Sequence, residues 1–179
     1  MTKVKILDKE FEKNIAFEDI QAAIQRIADR ISDDYREDSH PMFLCVLNGA
    51  FMFAADLFKY YQHPCEISFI QLSSYDGTDT TGKVETIIGL SHEIKDRDVI
   101  ILEDIVDSGI TVAHLVEDMK HYEPKSVRIA TLLLKPDAVQ NDVRPDYVGI
   151  EIPNDFIVGF GLDYNGYGRN FKDIYRIVE

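Results

Sequence analysis

The sequence predicts an α/β fold in which a mostly parallel sheet is flanked by helices. Two observations carry the prediction. Short, nearly all-apolar runs such as Met42–Leu47 and Val99–Leu102 read as strands buried on both faces. Stretches of helical periodicity fall between such runs, and strand–helix–strand alternation around apolar strands implies a mostly parallel sheet.

The elements follow in order. Ile20, Ile24, Ile27 and Ile31 recur at helical spacing, so Phe17–Ser32 is expected to be an amphipathic helix, and the polar stretch Asp33–His40 to end it. Met42–Leu47 is the first buried strand, and Asn48-Gly49 turns the chain into a helix over Ala50–Tyr61, with Phe51, Ala54, Ala55 and Phe58 on one side. Glu66–Leu72 is a second strand, with Glu85–Leu90 as its antiparallel partner. Ser73–Lys83 between them is small, polar and turn-forming, either a lid or a long connection. Val99–Leu102 is a strongly apolar strand that stops at Glu103-Asp104. Val112, Leu115, Val116 and Met119 then mark a helix. Val127–Leu134, Tyr147–Ile150 and Phe156–Gly159 are further strands. Ligands in such sheets sit at the carboxyl ends of strands. Chemistry is therefore expected just after Leu47, Leu72, Leu102, Leu134 and Gly159.

Composition bounds the function. A chain of 179 residues suits one domain and buries roughly 70% of its unfolded surface, so a core needs no disulfides. The net charge of −13 argues against wrapping nucleic acid. A small phosphorylated substrate stays open, because Mg²⁺ can stand between two anionic partners. The two cysteines, Cys45 and Cys65, form no metal-binding or disulfide pattern, and Cys45 reads as a small buried hydrophobe. No signal-peptide core or membrane-length apolar run occurs, so the expected compartment is the cytoplasm.

The segment Val99–Thr111 (VIILEDIVDSGIT) carries the chemistry. Gly109 can take a positive φ and lets backbone N–H groups converge. Ser108 and Thr111 add hydroxyls, Ile110 adds its amide, and the helix that follows offers unpaired N–H groups at its positive end. Together they form an anion nest suited to phosphate. Glu103 and Asp104 would repel a phosphate, but they suit sugar hydroxyls and a divalent metal. A helix cap at Asp107 or Ser108 accounts for one acid, not for three within five residues at the end of a buried strand.

The whole pattern resembles the phosphoribosyl-diphosphate (PRPP) signature of the type I phosphoribosyltransferases. The resemblance implies that the loop grips the 5′-phosphate of PRPP while the acidic pair contacts the ribose. Adenine, orotate, uracil and 6-oxopurines all remain as acceptors. A 6-oxopurine needs a donor for O6, a π surface and acceptors for its ring N–H groups. Lys135, Phe156 and the Ile157 carbonyl could supply these in turn, although each taken singly has a plain structural reading.

In combination and in this order, these segments are similar to the hypoxanthine-guanine branch of that family, from about Pro41 to Arg169. PDYVGIEIPNDFIVGFGLDYN carries much of the similarity. The resemblance implies that Asp107 is the general base, Lys135 contacts O6, Phe156 stacks on the purine and Ile157 offers main-chain contacts. It also implies that Asp163 lies at the purine site and assists a second Mg²⁺, with Glu103 and Asp104 as the other metal ligands. Asn48-Gly49 and Arg169 would meet the diphosphate, with a non-proline cis peptide between Leu47 and Asn48. Ser74-Tyr75 would open a mobile lid at about 73–84. The terminal segments, the N-terminus and about 150–179, would form a small hood on one phosphoribosyltransferase domain spanning 1–179, assembled as a homodimer or homotetramer. Asn48 stands where many members carry lysine, which removes a charge and keeps a donor.

Rival readings are a PRPP-dependent regulator that binds RNA, a phosphoribosyltransferase preferring xanthine, and a structural module. The acidic field weighs against the first. The apolar flanks of Glu103 and Asp104 weigh against the last.

Overall fold

The computed structural model describes residues 2–74, 84–88 and 93–178. Its elements are β1 (Lys3–Ile6), β2 (Lys9–Ile15), α1 (Phe17–Asp34), β3 (Met42–Leu47), α2 (Phe51–Tyr60), β4 (Glu66–Ser74) and β5 (Val84–Ile88). They continue as β6 (Asp98–Val106), α3 (Ile110–Lys120), β7 (Ser126–Leu134), β8 (Tyr147–Glu151), β9 (Ile157–Val158) and β10 (Ile174–Ile177). Strands β4, β3, β6, β7 and β8 lie side by side in that order, each neighbouring pair parallel. β5 adds antiparallel to β4 at the edge. The two ends of the chain form a second, antiparallel sheet in the order β1-β2-β10-β9, the hood that the resemblance implies.

The central strands are apolar on both faces because both are covered. α1 and α2 pack on one face through Ile20, Ile24, Ile27, Phe53 and Leu57, together with Phe43, Ile100 and Leu102. α3 covers the other through Val112, Leu115 and Met119, against Val99, Ile101 and Ile129. No helix among the described residues is long and apolar enough to cross a membrane.

Three expectations change. α2 buries Phe53, Ala54 and Leu57, whereas Phe51 and Ala55 face outward. The run FMFAADLF is apolar nearly all round, so its periodicity does not select a face, and packing against α1 does. There the side chain of Gln21 donates to buried Asp56. β6 does not stop at Leu102 but runs through the two acids to Val106. Beyond Leu102 it loses its β3 partner and keeps β7. The strand predicted over Phe156–Gly159 is reduced to Ile157–Val158, and Gly159 takes a φ of 102°. Of the predicted lid, Ser74 closes β4, while Tyr75 and the stretch to 83 lie outside the described residues.

Candidate active site

The site begins where β6 outgrows β3. The face alternation of β6 slips by one residue across the two acids. Ile100 and Leu102 face the α1–α2 core, as does Ile105, while Val99, Ile101 and Val106 face the α3 core. On the open flank, the β3 turn closes on Asp104. A Cβ placed on Gly49 would fall 1.8 Å from the Asp104 carboxylate, so any larger residue there would displace that side chain. The Leu47–Asn48 peptide bond is cis. Gly161 (φ 100°) in turn covers Gly49, with its own Cβ position 2.0 Å from the Gly49 carbonyl oxygen. Arg169 donates to the Gly161 carbonyl at 2.7 Å and pairs with Asp163 at 2.7 Å. Asp163 also accepts from the Gly166 N–H. Thus Asn48-Gly49, Asp104, Asp163 and Arg169, spread over more than a hundred residues, are stacked through Gly161.

The acidic pair is electrostatically incomplete. Glu103 is 7% exposed, and its Oε2 has no hydrogen-bond partner among the described residues. Burial, and after it the neighbouring Asp104 carboxylate, push its pKa well above the usual carboxylate range. Burial likewise raises Asp104 to about 6, against the Ile105 N–H, which donates to its Oδ1 at 3.0 Å, and the charge of Arg169. A buried, unpaired carboxylate oxygen next to a second carboxylate fits a divalent cation. Among the described residues no group of three or more acids, histidines or cysteines is arranged to hold one unaided.

After β6 the chain turns at Gly109 (φ 77°, ψ −2°) into α3. The simple helix-cap reading of Asp107 or Ser108 fails here, since no side chain caps α3 at its N-cap residue, Gly109. Ser108 Oγ accepts only a long bond, 3.4 Å, from the Ile110 N–H. The first-turn amides are thus exposed around a left-handed turn, as an anion site requires.

Across from this loop, Lys135 follows β7 and reaches Asp107, Nζ to Oδ2 2.7 Å. Lys135 is buried while Asp107 is half exposed, so the carboxylate has the freer side. Asp104, Asp107, Lys135, Phe156, Ile157 and Asp163 line one pocket of about 180 Å³, with Ile105 and Leu162. Phe156 is 47% exposed and held by hood aromatics, with Tyr164 edge-on at 5.9 Å and Phe11 at 6.3 Å. Sequence reasoning overlooked Gly161 and Leu162. The glycine spacing around Phe160–Gly168 was the available signal, since close backbone contact is what glycine permits.

The phosphoribosyl transferase domain family matches residues 15–165. The hypoxanthine-guanine phosphoribosyltransferase of Mycobacterium tuberculosis (strain ATCC 25618 / H37Rv) is 43% identical over 163 residues, 88% of this chain and 81% of that protein. The protein of the same description from Bacillus subtilis (strain 168) is 40% identical over 161 residues, 89% of each. Among solved structures, a hypoxanthine phosphoribosyltransferase from Staphylococcus aureus superposes with a TM-score of 0.88 at 35% identity, covering 93% of this chain and 91% of that one. With this site geometry, the family match and relatives alike over most of both chains, the chain belongs to the phosphoribosyltransferase family, beside its hypoxanthine-guanine members.

Proposed function

We propose that the chain is a purine-salvage enzyme that transfers the 5-phosphoribosyl group of PRPP to N9 of hypoxanthine or guanine, giving IMP or GMP and diphosphate. The observation that carries this reading is the meeting of Asp107 and Lys135 at 2.7 Å, over a pocket that Phe156 also lines. A 6-oxopurine presents O6 and N7 on one edge. A lysine that donates to O6 and a carboxylate that accepts from N7 must therefore point at neighbouring atoms.

The 5′-phosphate sits on the amides and hydroxyls of Asp107–Thr111, and the ribose hydroxyls face Glu103 and Asp104. The diphosphate meets Asn48-Gly49 and Arg169, which Gly161 already holds together. Lys135 orients the base through O6, Phe156 stacks on it, and the Ile157 carbonyl accepts from its ring edge. N9 bonds to C1′ as the C1′–oxygen bond to diphosphate breaks, and the N7 proton passes to Asp107. Positive charge develops on the sugar, as in glycoside chemistry. Glu103, Asp104 and Asp163 would hold two Mg²⁺, whose charge offsets that of the leaving diphosphate. The resemblance further supports a lid at about 73–84, a single domain over 1–179, a cytoplasmic location, and a homodimer or homotetramer.

The test is product formation from PRPP and Mg²⁺ with hypoxanthine, guanine, xanthine and adenine in parallel. IMP and GMP are expected, with no product from adenine and none after chelation. No product from any base would overturn the reading.

A further inference from the structure

Asn141 belongs to the connection between β7 and β8, outside every segment with an assigned role, yet it lies on the phosphate loop. The Gln140 N–H donates to the Ser108 carbonyl at 3.0 Å. A Cβ placed on Gly109 would fall 2.8 Å from Asn141 Oδ1, 3.1 Å from Nδ2 and 3.3 Å from Cγ, so the whole carboxamide covers the Gly109 Cα. The carboxamide is itself fixed from behind. Its Oδ1 accepts the Val143 N–H at 3.1 Å, and Arg144 donates to the Asn141 and Val143 carbonyls at 2.9 and 2.8 Å.

This cover has a physical purpose. A glycine populates positive and negative φ about equally, so Gly109 enters its left-handed turn at little cost and leaves it as readily. No side chain caps α3 at Gly109 to hold the turn. If Gly109 relaxes, the amides of the cradle diverge. A carboxamide packed on the Cα, with the neighbouring amide tied to Ser108, restricts that relaxation.

We propose that Asn141 is a positioning residue for the 5′-phosphate of PRPP, which presets the phosphate loop by holding Gly109 in its left-handed turn. The proposal rests on the reading of Asp107–Thr111 as the phosphate site.

The test compares the wild type with Asn141→Ala and Asn141→Asp for PRPP KM, hypoxanthine KM, kcat and thermal unfolding. Asn141→Ala should raise PRPP KM about five- to tenfold. kcat and hypoxanthine KM should stay within about twofold, the pattern of binding lost equally from the ground and transition states. Asn141→Asp keeps the shape and can still accept from Val143, so it carries the test if the alanine variant fails to fold. Its added negative charge should raise PRPP KM at low salt and less so at high salt. PRPP KM within about twofold of wild type in the folded variants would overturn the proposal. So would an equal rise in hypoxanthine KM, since a general disturbance moves both. A wild type that turned over no purine would instead sink the functional reading. The positioning claim is then read from inorganic phosphate binding by calorimetry, which should be weaker in both variants and, if unchanged, would overturn it.

Discussion

Asp107 and Lys135 come from the ends of two adjacent parallel strands, and their contact concentrates a proton acceptor and a donor at one point. Asp107→Asn keeps the size of the side chain and its place in the loop but removes the proton acceptor. It should lower kcat by roughly 10²–10⁴ while PRPP KM changes little, the range in which positioned acid–base groups act. Steady-state kinetics with hypoxanthine would check this, and undiminished turnover would remove Asp107 as the base. The residue types at this site were legible beforehand, because three acids beside a Gly-Ile-Thr turn have no ordinary core role. Their orientation was not. That Asp107 pairs with Lys135, or that Gly161 lies on Gly49, depends on approach between segments far apart in the chain.

The start of α1 shows how one element relies on another. Its N-cap, Ala16, has no side-chain acceptor. The Phe17 N–H donates at 2.8 Å to Asp173, a residue 156 positions away that also pairs with Lys13 at 2.9 Å. Burial would raise Asp173, but Lys13 and the Phe17 N–H outweigh it and hold the carboxyl below its usual range. A folded-state value below the unfolded one contributes stability that is present above about pH 4 and is lost as pH falls through the lowered value. Asp173→Ala should therefore destabilise the fold by about 1–3 kcal/mol at pH 7. The difference from wild type should shrink as the solution is taken below about pH 4. Urea unfolding at pH 7 and at low pH would test this, and a difference independent of pH would refute the charge-based account. No sequence signal marked this cap, since local capping patterns cover only a few residues.

At the scale of the whole molecule, a net charge of −13 and the adjacent acids Glu103 and Asp104, both with raised pKa, leave the site short of positive charge. A ligand that brings a cation there should stabilise the fold by mass action. PRPP with Mg²⁺ at about 100 times its dissociation constant should add about 2.7 kcal/mol. For a chain of this size that raises Tm by roughly 5–11 °C. Differential scanning fluorimetry with and without chelator reads the effect directly. An equal shift from PRPP in chelator would show that no cation is needed.

The sequence by itself determined the parallel sheet, the positions of its central strands, the glycine turn before α3 and the types of residue that line the pocket. Each of these is written in a local pattern: apolar runs, helical spacing, or the glycine that a left-handed turn requires. The structure alone decided which face α2 buries, that β6 carries its acids inside the strand, and how the two chain ends pair into a hood. It alone placed Gly161 on Gly49 and Asn141 on Gly109. Those outcomes depend on contacts between segments far apart in the chain, where packing density and the closest approach of backbones choose among arrangements that local preference leaves equal.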